Sequence, residues 1–160
     1  HIYFEMGQAE MNRGNAEEGI KYFRQAVELN PMTMESQWNL MTAYSLVGQQ
    51  DKIDEVRNNM EELGYVFVDT SQFQRIYTIY ARANRYDKMA ETLEDMLENT
   101  PTVNGYTTLA SVYKDMGDYA KAVEAAKKAA ELDPKIEKDV NKFINSLYPP
   151  APAVEEEVEE

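Results

Sequence analysis

A turn that returns about every 34 residues constrains this chain more than any other feature. Gly14, Gly48, Asn84 and Gly117 lie in the polar turns Arg13-Gly14-Asn15, Val47-Gly48-Gln49, Asn84-Arg85 and Met116-Gly117-Asp118, and are spaced 34, 36 and 33 residues apart. Each turn is flanked on both sides by segments whose apolar residues recur at helical spacing, which makes it the bend of a helical hairpin. One hairpin cannot bury its apolar face alone, so hairpins of fixed length in tandem stack and cover one another. The fold this implies is all-α, an α-solenoid of antiparallel helix hairpins with about nine helices.

The second helix of each hairpin carries the pattern most openly. Ile53, Val56, Met60 and Leu63 follow at steps of three, four and three and therefore share one stripe. Met89, Leu93, Met96 and Leu97 do the same, as do Ile20, Phe23, Ala26 and Val27, and Ala122, Val123, Ala126, Ala129 and Ala130. Three of these helices stop at Leu29-Asn30-Pro31, Asn99-Thr100-Pro101 and Leu132-Asp133-Pro134, because proline has no N–H and restricts the residue before it. Leu63-Gly64 ends the other with a C-terminal glycine. The connection that follows is two residues longer, and its Tyr65-Val66-Phe67-Val68 either fills a gap between helices or forms a short extended segment.

These residues resemble the tetratricopeptide repeat family over roughly 2–134. The last unit places Tyr106, Leu109, Ala110, Tyr113, Gly117, Tyr119, Ala122, Ala126, Ala129 and Pro134 at the family's spacing, with Ala126 where an aromatic is usual. The third matches through Phe73, Ile76, Tyr77, Tyr80, Tyr86, Met89, Leu93, Met96 and Pro101. The first matches through Tyr3, Met6, Gly7, Gly19, Phe23, Ala26 and Pro31, with Glu10 in an aromatic's place. The second departs most: Gln37 takes the first large position, Trp38 moves one step onward, and Ile53 and Met60 replace small residues, which should hold those helices further apart.

The resemblance implies a right-handed superhelix with repeats at about 2–31, 34–64, 70–101 and 103–134. A capping helix is expected over 135–147, where Ile136, Val140, Phe143, Ile144 and Leu147 share one face before Pro149-Pro150. Residues 1–148 then form one domain, and 149–160 an acidic Pro/Glu-rich tail expected to be disordered. Nothing comparable covers the first hairpin, so further repeats can precede it.

Composition narrows the function. Sixteen basic against 29 acidic side chains give a net charge of −13, a field that repels phosphate backbones and anionic lipid, so neither nucleic acid nor a membrane surface is the expected partner. No window approaches eighteen apolar residues and no basic segment leads into an apolar one, so neither a spanning helix nor a signal peptide is expected; a cytoplasmic location is the default, and the absence of cysteine leaves the compartment open.

Catalytic groups are scarce. The one histidine, His1, is terminal, and no thiolate, calcium loop or phosphate-cradling glycine turn is present, so no catalytic residue, metal or cofactor is assigned. The paired carboxylates Glu17-Glu18, Asp54-Glu55, Glu61-Glu62 and Glu94-Asp95 fall on the polar faces of second helices, and Tyr77, Tyr80, Tyr106 and Tyr113 at repeat spacing read as core.

In the family that these motifs resemble, the first helices line a concave groove. Carried over, that face comprises Phe4, Gln8, Met11 and Asn12, then Trp38, Asn39, Thr42 and Ser45, then Gln74, Arg75, Thr78 and Arg82, then Thr107, Ser111 and Lys114. Large apolar and amide side chains begin the series and three cations end it, which suits a protein or peptide with an apolar anchor and carboxylates. Trp38 can be core or groove hot spot, and Arg75 and Arg82 can pair with neighbouring carboxylates or with a ligand. The expected role is an interaction scaffold or adaptor and not an enzyme. The alternative is an interaction domain of a larger protein, membrane-anchored or not, such as an envelope glycan polymerase or ligase, stacking by its N-terminal edge.

Overall fold

A computed structural model of the chain describes residues 1–67 and 69–148; Val68 and the segment 149–160, where the acidic tail is expected, lie outside the described residues. Among the described residues there are nine α-helices and no strand. They are α1 (Ile2–Asn12), α2 (Ala16–Leu29), α3 (Met34–Leu46), α4 (Gln50–Glu62), α5 (Thr70–Arg82), α6 (Tyr86–Asn99), α7 (Val103–Asp115), α8 (Tyr119–Leu132) and α9 (Glu137–Leu147), with a 3-10 turn at Pro134–Ile136 leading into α9.

Each repeated turn residue ends a first helix in the same way. Gly14, Gly48, Asn84 and Gly117 all take positive φ, at 82°, 73°, 55° and 79°. The next amide then reaches back to the carbonyl five residues earlier: Asn15 to Glu10, Gln49 to Tyr44, Arg85 to Tyr80 and Asp118 to Tyr113. This left-handed cap satisfies carbonyls the helix leaves open and reverses the chain. Asn84 is the one non-glycine among the described residues with positive φ, and asparagine is among the few side chains that tolerate it.

The chain divides into two compact units, residues 1–100 and the residues from Pro101 on. In the first, α1, α3 and α5 lie side by side and are backed by α2, α4 and α6. Its core is built from the expected stripes: Ile20, Phe23, Ala26, Ile53, Val56, Met60, Met89, Leu93 and Leu97 are buried, with Ile76 and Tyr80 from α5. Each large side chain so buried contributes roughly 1.5–3 kcal/mol. Gly7 lets α1 and α2 close on each other, because the Phe23 ring occupies the space where its Cβ would be: an added Cβ would meet Phe23 Cε1 at 2.6 Å. Hairpins α3/α4 and α5/α6, lacking such a glycine, make fewer close backbone approaches than α1/α2.

Gln37, polar at a core position, is buried and donates from Nε2 to the Pro31 carbonyl at 3.0 Å, which removes the penalty of burying an amide. The long connection fills a gap: no helix or strand forms over 63–67, the Phe67 ring packs 5.5 Å from Trp38, and the Tyr65 hydroxyl donates to the Met32 carbonyl.

In the second unit α7 and α8 form the hairpin, and α9 packs on α8. Ala122, Ala125, Ala126 and Ala129 bring α8 close to α7, with Leu109, Ala110, Val112 and Tyr113 opposite. Asp133 starts the 3-10 turn by accepting from the Lys135 amide, with Pro134 supplying a fixed φ. On α9, Val140 and Leu147 are buried while Phe143 and Ile144, like Ile136 in the turn before it, stay half-exposed.

Candidate functional site

In the first unit, α3 and α5 bring the expected inner-face residues together. Trp38 is buried at 2% exposure, its indole roofed by the Arg75 guanidinium at 5.1 Å from the ring centroid. Arg75 also pairs with Glu35 through both guanidinium ends, Nη1 at 3.2 Å and Nη2 at 3.3 Å. Further along α3, Ser45 is buried and the Arg82 Nη1 donates to its Oγ at 3.4 Å. Trp38 and Ser45 therefore lie beneath Arg75 and Arg82.

The surrounding polar groups are anchored on their own helices. Thr42 Oγ1 donates to the Trp38 carbonyl at 2.8 Å, Ser45 Oγ to that of Thr42 at 2.7 Å, Thr78 Oγ1 to that of Gln74 at 2.8 Å, and the Asn39 amide to that of Glu35 at 2.7 Å. The three hydroxyl protons are thereby used, as is one of the two Asn39 amide protons. Gln74, Thr78 and Arg82 are exposed, and Asn39, Thr42 and Arg75 half-exposed.

Magnitudes decide how this face can behave. The Arg75 and Glu35 side chains are 37% and 61% exposed, so their ion pair is worth at most about 1 kcal/mol. Stacking on Trp38 adds a comparable amount, about 0.5–1 kcal/mol, without consuming the guanidinium's outward donors. The Arg75 guanidinium is thus held against the indole behind a weak ion pair. Arg82 has no carboxylate partner among the described residues.

The α1 residues divide. Phe4 is half-buried with its ring 6.1 Å from Phe23, and Met11 lies over Gly19, 3.0 Å from where its Cβ would be, so both serve the hairpin's own packing. Gln8 and Asn12 are exposed. Beside Phe4 a cavity of about 340 Å³ opens toward Leu29, Thr33 and Glu35. In the second unit, Thr107 and Ser111 donate to the Asn104 and Thr107 carbonyls at 3.0 and 3.2 Å, and the Lys114 amino group sits 5.9 Å from the Phe143 ring.

Behind α5 lies a charged cluster that the sequence reading missed. Arg57 is buried in α4, where its Nε donates to Glu61 at 3.1 Å; its guanidinium stands 3.6 Å from Asp95 and 5.7 Å from the Tyr80 ring centroid. Burial opposes the charge, but hydrogen bonding to Tyr80 and the attraction of nearby acids raise the Arg57 pKa overall. Burial also pushes the Tyr80 phenol up to about 12, against the pull of Arg57, and raises Asp95. Tyr80 donates to Asp54 at 3.0 Å, and Arg85 binds Asp54 at 2.8 Å and Asp87 at 2.9 Å, holding Asp87 below the usual carboxylate range. Asp54 is thus drawn into the structure, whereas Glu17, Glu18, Glu55, Glu61, Glu62 and Asp95 are exposed. Spacing could have found Arg57: Ile53, Arg57 and Met60 are related as i, i+4 and i+7 and share the inward stripe.

These hairpins, their shared caps and their side-by-side first helices define a helical-hairpin repeat protein. Residues 1–32 and 103–136 each match a model of the tetratricopeptide repeat, so the chain carries tetratricopeptide repeats. Similar solved structures include a crystal structure of MamA protein, with 18% identity over 92% of this chain and 79% of that one and a TM-score of 0.63. MamA 41-end from Desulfovibrio magneticus RS-1 shares 19% identity over 92% and 89%, at 0.60, and TTC0263, a thermophilic TPR protein in Thermus thermophilus, shares 18% over 91% and 79%, at 0.53. At such identities the likeness concerns the fold. No curated protein sequence matches the chain. No helix among the described residues is long and apolar enough to cross a membrane.

Proposed function

We propose that the chain is a protein-interaction scaffold that receives a peptide or partner surface on the exposed faces of its first helices, with carboxylates of the partner on Arg75 and Arg82. The observation that carries this reading is the α3/α5 face, where one guanidinium is stacked on Trp38 behind a weak ion pair and a second has only the Ser45 hydroxyl among the described residues. In a chain of net charge −13, two cations kept available on one face are a selective feature. The same reading assigns no catalysis: His1 is exposed and lies against Glu5 at 2.9 Å, and Arg57, Tyr80 and Asp54 tie α4 to α5, with Tyr80 donating to Asp54 and Arg57 against the Tyr80 ring.

The test is the dissociation constant of a captured partner, measured with wild type and with the Arg75→Ala/Arg82→Ala variant. Loss of roughly tenfold or more in affinity, shrinking with added salt, is expected. Unchanged affinity, or protection from hydrogen exchange on α2 and α4 in place of α3 and α5, refutes the reading.

A further inference from the structure

We infer that the cleft between α7 and α9 is a receiving pocket for one apolar side chain of a partner peptide, with a carboxylate of the same peptide on Lys114. This rests on the scaffold reading and names what the second unit takes.

The cleft arises from an internal departure from the repeat. Nine residues after each turn residue stands a buried side chain: Phe23, Arg57 and Leu93 in the first unit and Ala126 in the second. Seven residues before the turn, Gly7 makes room for Phe23, whereas Ala110 faces Ala126. Where a phenyl ring fills the first hairpin, the last one has two methyl groups and an opening. The result is a cavity of about 330 Å³, floored by Ala126 and Ala110 and walled by Val103, Val140 and Phe143. An apolar void of about 150 Å³ already accepts benzene, so this one admits a leucine, methionine or phenylalanine side chain. Apolar lining without contact on one side forfeits dispersion energy that such an occupant restores.

Charge sets the occupant's chemistry and direction. Thr107 and Ser111 at the rim have spent their hydroxyl protons on backbone carbonyls and offer only acceptor oxygens. Asp139 stands at the rim and repels a carboxylate there. Lys114 reaches over the Phe143 wall and has no carboxylate partner among the described residues, while Lys128 of the same unit is paired with Glu124. A peptide carrying an apolar side chain next to an acidic one fits, with its acid toward Lys114.

The probe is the peptide acetyl-Gly-Leu-Glu-Gly-amide, with versions carrying Ser for Leu and Lys for Glu, titrated into the full chain and followed by methyl NMR. Saturable shifts are expected at the methyls of Val103, Ala110, Ala126 and Val140, with affinity roughly tenfold weaker for the Ser peptide and severalfold weaker for the Lys peptide or for Lys114→Ala. Ala126→Phe should abolish the shifts and raise Tm; should that variant misfold, Thr107→Arg at the half-exposed rim supplies the same block. Absence of saturable shifts at those methyls at millimolar peptide, or equal binding of the Leu and Ser peptides, overturns the proposal. Shifts confined to α3 and α5 also overturn it while leaving the scaffold reading intact.

Discussion

Substituting Gly7 by alanine tests whether the first hairpin owes its closeness to a missing methyl group. The new Cβ would lie 2.6 Å from Phe23 Cε1, 2.7 Å from Cδ1 and 3.0 Å from Cζ, inside any normal contact distance. Phe23 has 0% exposure, so the ring cannot swing into solvent and the helices must part or the ring must leave its rotamer. Overpacking of this kind costs about 1–3 kcal/mol, and contact with three ring atoms puts it in the upper half. Alanine's better helix propensity returns about 1 kcal/mol. The expected net loss is about 1–2 kcal/mol in urea unfolding, read as a lower midpoint at unchanged m. Phe23→Leu alone should also destabilise, by about 1–2 kcal/mol from lost burial, but the double variant should fall well short of the sum because the smaller side chain clears the clash. A more stable Gly7→Ala protein, or strict additivity of the pair, would show that propensity alone governs this position and refute the argument.

Three further outcomes follow from packing and charge. Ala129 has 0% exposure in α8, so Ala129→Leu should cost about 1–3 kcal/mol by overpacking, and a neutral result in thermal unfolding would mean that the site yields freely. Tyr80's folded pKa of about 12 stands above the ordinary phenol value of about 10, so its contribution is whole below pH about 10 and is lost as pH rises toward 12. The alkaline fall in stability should therefore be shallower in Tyr80→Phe, and an identical slope for both proteins would contradict the assignment. Asn84→Gly relieves the one positive-φ side chain among the described residues and should gain up to about 1 kcal/mol, checked by the urea midpoint.

Much of this protein could be read before any coordinates. Gly14, Gly48, Asn84 and Gly117 announced four reversals because a left-handed cap restricts which residues can occupy it, a local rule visible in a linear string. The 3.6-residue stripes named most of the core, including Ile53, Met60 and Ala129, since periodicity records which face is hidden. Of the inner-face residues, the sequence placed Gln74 and Thr78 on an exposed face, but could not choose between alternatives for Trp38, Arg75 and Arg82.

Those choices depended on atoms distant in the chain. Trp38 is buried because Phe67, 29 positions later, and Arg75, 37 positions later, close over it. Arg57 survives in the interior because Tyr80, Glu61, Glu91 and Asp95 gather around it from three helices. Local rules constrain backbone and burial through neighbours within a turn or two, and these a sequence states directly. Whether a long side chain ends in solvent, in a partner's reach or under another residue is set by which helices pack together, and only the tertiary structure decides it.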